Sequence, residues 1–194
     1  LKLVGAVTQG SGAVNEDGWG YLGSADAVSA AWVFDGVTGI NGRNFLGEET
    51  DAAWLVGQAH KHLLSLAALP LSLQEIVSRL VDALIVDWSE ASKGLSLPEN
   101  YDPPAACLVL AKRYDDQWQA ARLGDSCIIA RASGRRHMIF SASPNNAFDH
   151  WLAGEAAKRR AAGVLDVKAL LAEFRPQLAQ GREMRNRPGG YGIL

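Results

Sequence analysis

Residues 15–39 read NEDGWGYLGSADAVSAAWVFDGVTG, and two acidic corners in this stretch decide the reading of the chain. Glu16 and Asp17 stand where a turn opens into the alternating Trp19 and Tyr21. Asp35 and Gly36 stand where the apolar run Ala30-Ala31-Trp32-Val33-Phe34 stops at a glycine-rich turn. Two neighbouring strands bring both corners to one end of a sheet. Carboxylates gathered there repel one another, and desolvation raises their pKa values, so the cluster persists as anions only beside a cation. Carboxylate, carbonyl and water oxygens suit Mg²⁺ or Mn²⁺. Zinc usually asks for His or Cys, and neither is near these corners in the sequence.

The remaining composition narrows the class of protein. The chain has 194 residues, 48% of them hydrophobic, with six tryptophans and a formal net charge of −2. That length allows one domain, expected to span residues 1–194, and the near-neutral charge gives no support to nucleic-acid or acidic-membrane binding. Apolar stretches are interrupted by charge before the ~18 residues that a membrane span needs, and no signal-peptide pattern opens the sequence, so a cytoplasmic protein is expected. Cys107 and Cys127 lie in apolar, strand-like runs and read as small buried hydrophobes rather than a disulfide framework.

Along the chain, residues 3–8 read as a strand. Gly18 to Gly23 spells G-x-G-x-x-G, but a turn and a strand come next instead of a helix, so the dinucleotide fingerprint is rejected. Ala52, Leu55, Ala59, Leu63 and Leu66 recur at helical spacing over residues 49–69, and Pro70 ends that helix. His60 and His62 are two apart on it and do not form a zinc-binding i, i+4 pair. Ser72 and Glu75 form a capping box that opens a second helix through Trp88. Residues 105–111, 118–123 and 126–131 read as a three-strand antiparallel meander, with a further strand over 135–140. Helices are predicted over 147–162 and over 166–180, the latter kinked or shortened by Pro176, and a last strand over 191–194. Strands and helical pairs in blocks, with little βαβ alternation, give an α+β class.

Asn15-Glu16-Asp17, Asp35-Gly36 and Gly124-Asp125-Ser126, in this order and with a helical insert before the third, resemble the signatures of the metal-dependent protein serine/threonine phosphatases of the type 2C family. The resemblance implies a four-layer α-β-β-α sandwich, two antiparallel sheets flanked by helices. It implies two Mg²⁺ or Mn²⁺ ions that hold a water for attack on the phosphorus of a phosphorylated protein substrate. By matched position, Asp35 bridges the ions and Gly36 lends its carbonyl. Glu16 serves the second ion largely through water, Asp17 orients waters around the pair, and Asp125 is placed at a weaker third ion. Asp35 and Asp17 are thereby the expected catalytic residues.

The sequence departs from the family in three places. The arginine that clamps phosphate is replaced by Gly12; no second Asp-Gly occurs after Ser126; and the closing Asp-Asn is replaced by the turn at Asn186-Arg187-Pro188. Asp149, the first acid after the hairpin strands, is the candidate substitute metal ligand, and Asn186 the candidate substitute for Asp-Asn. Two readings stay open: a phosphatase completed by Asp149 or water, and a phosphatase-fold binding or regulatory module whose metal site is vestigial.

Overall fold

The computed structural model describes residues 1–8, 14–47, 50–132, 135–139, 146–163, 167–188 and 190–194, with side chains described for these except 131–149, 167–168 and 171. Two strands, β1 (Gly18–Ser24) and β2 (Ala27–Val37), lead into two helices, α1 (Asp51–Leu66) and α2 (Leu73–Ala91). Then come β3 (Ala105–Tyr114), β4 (Gln117–Leu123), β5 (Ile128–Ala132) and β6 (Arg135–Ile139), and helices α3 (Asn146–Ala161), α4 (Val167–Glu173) and α5 (Arg175–Arg182). The first four strands form one antiparallel sheet in the order β1-β2-β3-β4, while β5 and β6 pair separately.

The sheet's two faces arise from the period of two. Ala30, Trp32 and Phe34 of β2 and Ala106, Leu108 and Leu110 of β3 are buried toward α1 and α2, where they meet Trp54, Leu55, Ala59, Leu63, Ile76 and Leu80. Full burial of a side chain such as Leu63, Ile76 or Leu108 contributes roughly 1.5–3 kcal/mol relative to exposure. The opposite face carries Trp19, Tyr21, Val33 and Val109. Trp19 and Tyr21 lie stacked on it, and Val33 remains 45% exposed.

Helix ends match the local chemistry. Thr50 caps α1 through the Ala53 amide, and Ser72 with Glu75 completes the predicted capping box of α2. Between the helices, the carbonyls of Leu69 and Leu71 accept from the Lys112 ammonium, and that of Leu71 also accepts from Tyr114; a buried lysine thus satisfies the backbone of the connection. Asp51 does the same at the start of α1, accepting from the amides of Phe45 and Leu46 and from the Tyr101 hydroxyl.

Several expectations change. Residues 1–8 form no strand; Leu1 and Leu3 only exchange backbone hydrogen bonds with Val28 and Ala25. The three-strand meander breaks after β4: the turn at Gly124, with φ 81° and its amide donating to the Gly192 carbonyl, leaves the sheet before β5. Pro176 splits the predicted helix into α4 and α5, since proline cannot donate to the preceding turn and is accommodated in the first turn of α5. The last residues are no separate strand: Leu194 pairs with Ala106 through two backbone bonds of 3.2 and 3.0 Å. The architecture is mixed α and β, and its described part shows one four-stranded antiparallel sheet with α1 and α2 packed on it and a separate two-stranded sheet of β5 and β6.

Candidate functional site

The acidic corners meet at the end of β2. Asp35 is its antepenultimate residue, and Glu16 lies against the next one. A Cβ on Gly36 would come within 2.4 Å of the Glu16 carbonyl oxygen and 2.9 Å of the Glu16 Cβ, so the 15–17 segment seats on β2 only because residue 36 has no side chain. Asn15 stabilises this segment on both sides, donating to Thr8 Oγ1 at 3.0 Å and accepting from the Asp17 amide at 3.1 Å. Glu16 is fixed by a 2.6 Å hydrogen bond from the Thr38 hydroxyl.

Asp125 arrives from the turn between β4 and β5. That turn is fastened by the Gly124 amide, which donates to the Gly192 carbonyl at 2.6 Å. Four carboxylates now share one region. Asp35 is open to solvent on one side, yet its pKa is raised, first by burial of the other side and then by the charges of Asp17, Asp125 and Glu16. The predicted convergence of Glu16, Asp17, Asp35 and Asp125 is thus present.

The sequence reading missed Cys107. In the β2–β3 register Cys107 is directly opposite Asp35, so both side chains leave the same face of the sheet. Its thiol donates to Asp125 Oδ1 at 3.2 Å, and single ligand atoms of Asp35, Cys107 and Asp125 all lie within 4.8 Å of one another, close enough to hold a metal ion together. Burial pushes the thiol pKa up to about 11, reinforced by Asp125 and Asp35. Counting inward from Asp35 with the antiparallel register would have found this residue; linear distance from the acidic corners concealed it.

Asp149 is within α3, at a position whose side chain is not described, and Gly12 lies outside the described residues. Asn186, in a left-handed conformation with φ 53°, spends its side chain on the backbone of Ile193: Nδ2 donates to the carbonyl at 3.0 Å and Oδ1 accepts from the amide at 2.9 Å. It holds the C-terminal segment in place and is not free to ligate. Arg43 stacks over Phe45 at 4.5 Å. His62 pairs with Asp87 of α2 at 2.6 Å, and His60 Nδ1 accepts from the Trp32 indole of β2 at 3.4 Å, so one histidine joins the two helices and the other joins α1 to the sheet.

A second unpredicted feature supports the site from behind. Asp102 takes both Arg182 and Arg185 in ion pairs whose side chains are only 12–14% exposed. Arg182 also donates to the Thr38 carbonyl at 2.7 Å, which links α5 to the residue that holds Glu16. A cavity of about 960 Å³ opens beside this network, between Trp88, Tyr101 and Leu194. None of the four acids lines it, and Arg182 and Arg185, which do, are already committed to Asp102.

An Asp-Gly at the end of β2 and an adjoining acidic turn thus gather a crowd of carboxylates in one place. The family model for protein phosphatase 2C matches residues 4–158, and the chain belongs to that family. No curated protein and no solved structure matches it. Among the described residues, no helix is long and apolar enough to cross a membrane.

Proposed function

We propose that this chain is a Mg²⁺- or Mn²⁺-dependent protein phosphatase that hydrolyses phosphoserine and phosphothreonine. The observation that carries the reading is the meeting of Glu16, Asp17 and Asp125 around Asp35 at the end of β2, a gathering that, with burial, raises the Asp35 pKa. Such a cluster is electrostatically unfavourable alone and is relieved by a divalent cation. The donor set is all oxygen at Glu16, Asp17 and Asp35, which fits hard ions. Asp35, Glu16 and the Gly36 carbonyl would hold them, with Asp17 orienting their waters, Asp125 at a weaker further ion and Asp149 the candidate substitute ligand. When bound, such ions supply an acidified water and neutralise charge on the phosphoryl group.

The chain's own residues hold this arrangement ready. Thr38 fixes the Glu16 carboxylate, Asn15 fixes the Asp17 backbone, and Gly36 permits the close approach of the two acidic corners. Preorganisation of this kind removes the cost of gathering like charges at the moment of binding. In the full arrangement, a domain over residues 1–194, a second sheet containing β5 and β6 would cover the face bearing Trp19, Tyr21, Val33 and Val109 and complete the four layers. The alternative, a binding module with a vestigial site, draws on Asn186, which is committed to Ile193, and on the lack of an Asp-Gly after Ser126.

Release of phosphate from a phosphothreonine peptide, with and without Mn²⁺ or Mg²⁺, separates the two. Wild type is expected to turn over only with metal, and a folded Asp35→Asn variant is expected to be inactive. Loss of turnover in Asp149→Ala would assign that residue to the site; retention would keep the phosphatase and discard Asp149. A folded wild type inactive with both ions would leave the module reading standing.

A further inference from the structure

We propose that Cys107 is a thiolate ligand of this same acidic site, so that Asp35, Cys107 and Asp125 together take a thiophilic divalent ion of the Zn²⁺ or Cd²⁺ class more tightly than the hard ions that the surrounding carboxylates favour. The inference rests on the metal-site reading of Asp35 and Asp125 above and extends it from oxygen donors to sulfur.

Three separate pieces of backbone bring the donors together. Register sets Cys107 opposite Asp35 on one face of the sheet. The β4–β5 turn delivers Asp125, and it reaches Cys107 because residue 124 is glycine: a Cβ there would lie 2.3 Å from the Cys107 sulfur. Gly192 then anchors the turn through its carbonyl. The resulting spacing suits an ion. A tetrahedral centre with bonds of about 2.3 Å to sulfur and about 2.0–2.2 Å to oxygen holds the two donors about 3.5 Å apart. The Cys107 sulfur and Asp125 Oδ1 stand at 3.2 Å, and the three donor atoms within 4.8 Å of one another.

A cysteine that served only as a small hydrophobe would turn its sulfur into apolar surroundings. Cys107 has such neighbours in Ala105 and Ile193, yet its sulfur is the atom that faces the two carboxylates. Soft thiolate donors shift selectivity toward Zn²⁺ and related ions, whereas Mg²⁺ and Mn²⁺ gain little from sulfur. Ligation exchanges the S–H bond for a metal–sulfur bond and releases one proton to solvent, with no change in oxidation state. Asp35 is common to both donor sets, so a thiophilic ion held through Cys107 would compete with the hard ions and inhibit the enzyme.

The test uses the whole chain carrying Cys127→Ser, which removes the exposed second thiol. Cd²⁺ is titrated while the ultraviolet thiolate-to-cadmium charge-transfer absorbance is monitored, and Mn²⁺ binding is measured in parallel from the paramagnetic resonance of the free ion. The expected result is a saturable Cd²⁺ band that vanishes in Cys107→Ser, a Cd²⁺ affinity weakened by at least roughly 10–100-fold, and Mn²⁺ binding retained in that variant. Mn²⁺ binding without a Cd²⁺ band would overturn the Cys107 proposal and leave the phosphatase reading intact. A band that survives Cys107→Ser would overturn it as well. Binding of neither ion would overturn both.

Discussion

Replacing Gly36 by alanine tests how the two acidic corners are assembled. The added Cβ would stand 2.4 Å from the Glu16 carbonyl oxygen, where ordinary contact begins near 3.4 Å, so the 15–17 segment must retreat from β2 by about 1 Å. The obstructing atom is backbone and cannot rotate away. Overpacking of this kind costs typically 1–3 kcal/mol, and a domain of this size loses about 2–4 °C of Tm per kcal/mol, so a fall of roughly 2–12 °C is expected. The functional loss should be larger than the loss of stability. Glu16 and Asp17 are carried by the segment that retreats while Asp35 stays in β2, and a displacement near 1 Å can reduce turnover about a hundredfold. Thermal melts recorded with and without Mn²⁺, together with phosphate release from a phosphothreonine peptide, read both effects. A Gly36→Ala variant that melts and turns over like wild type would refute the claim that this close approach builds the site.

Individual contacts give further expected outcomes. Asp35 has a folded-state pKa above its unfolded value, so folding takes up a proton between the two; stability of the metal-free protein should fall as pH rises through that window and stay lower above it. Asp35→Asn should therefore be more stable than wild type at neutral pH in chelator, which urea unfolding across acid to neutral pH measures; a less stable variant contradicts the sign. Thr38→Val deletes the 2.6 Å bond to Glu16 and is expected to weaken Mn²⁺ binding while shifting Tm little, since the contact is exposed and worth about 0.5–1.5 kcal/mol. Asp102→Ala leaves the cations of Arg182 and Arg185 unpaired at 13–14% exposure and should cost about 3–5 kcal/mol, seen as a Tm lower by roughly 6–20 °C.

The strands and helices that build the acidic corner were legible because their signals are local. The apolar run from Ala30 to Phe34 ends at Asp35-Gly36, and Ser72 with Glu75 announces α2, each within a few residues. The features that escaped depend on contacts distant in sequence. Cys107 meets Asp35 only through strand register, and its hydrophobic setting gave no hint of a carboxylate neighbour. Asp102 finds Arg182 and Arg185 some eighty residues later, a pairing with no periodic signature. The turn at Gly124-Asp125 looked like one more hairpin, whereas its glycine is needed for close approach to Cys107 and its course removes β5 from the sheet.

Melting in a millimolar Mn²⁺ titration tests the central claim most directly. Native-state binding at a hundred times Kd adds about 2.7 kcal/mol, or roughly 5–11 °C for a domain of this size. Wild type should show that rise and Asp35→Asn should lose most of it, because Asp35 is the carboxylate on which the other three converge. Identical melting of wild type and Asp35→Asn throughout the titration would contradict a metal site at this corner.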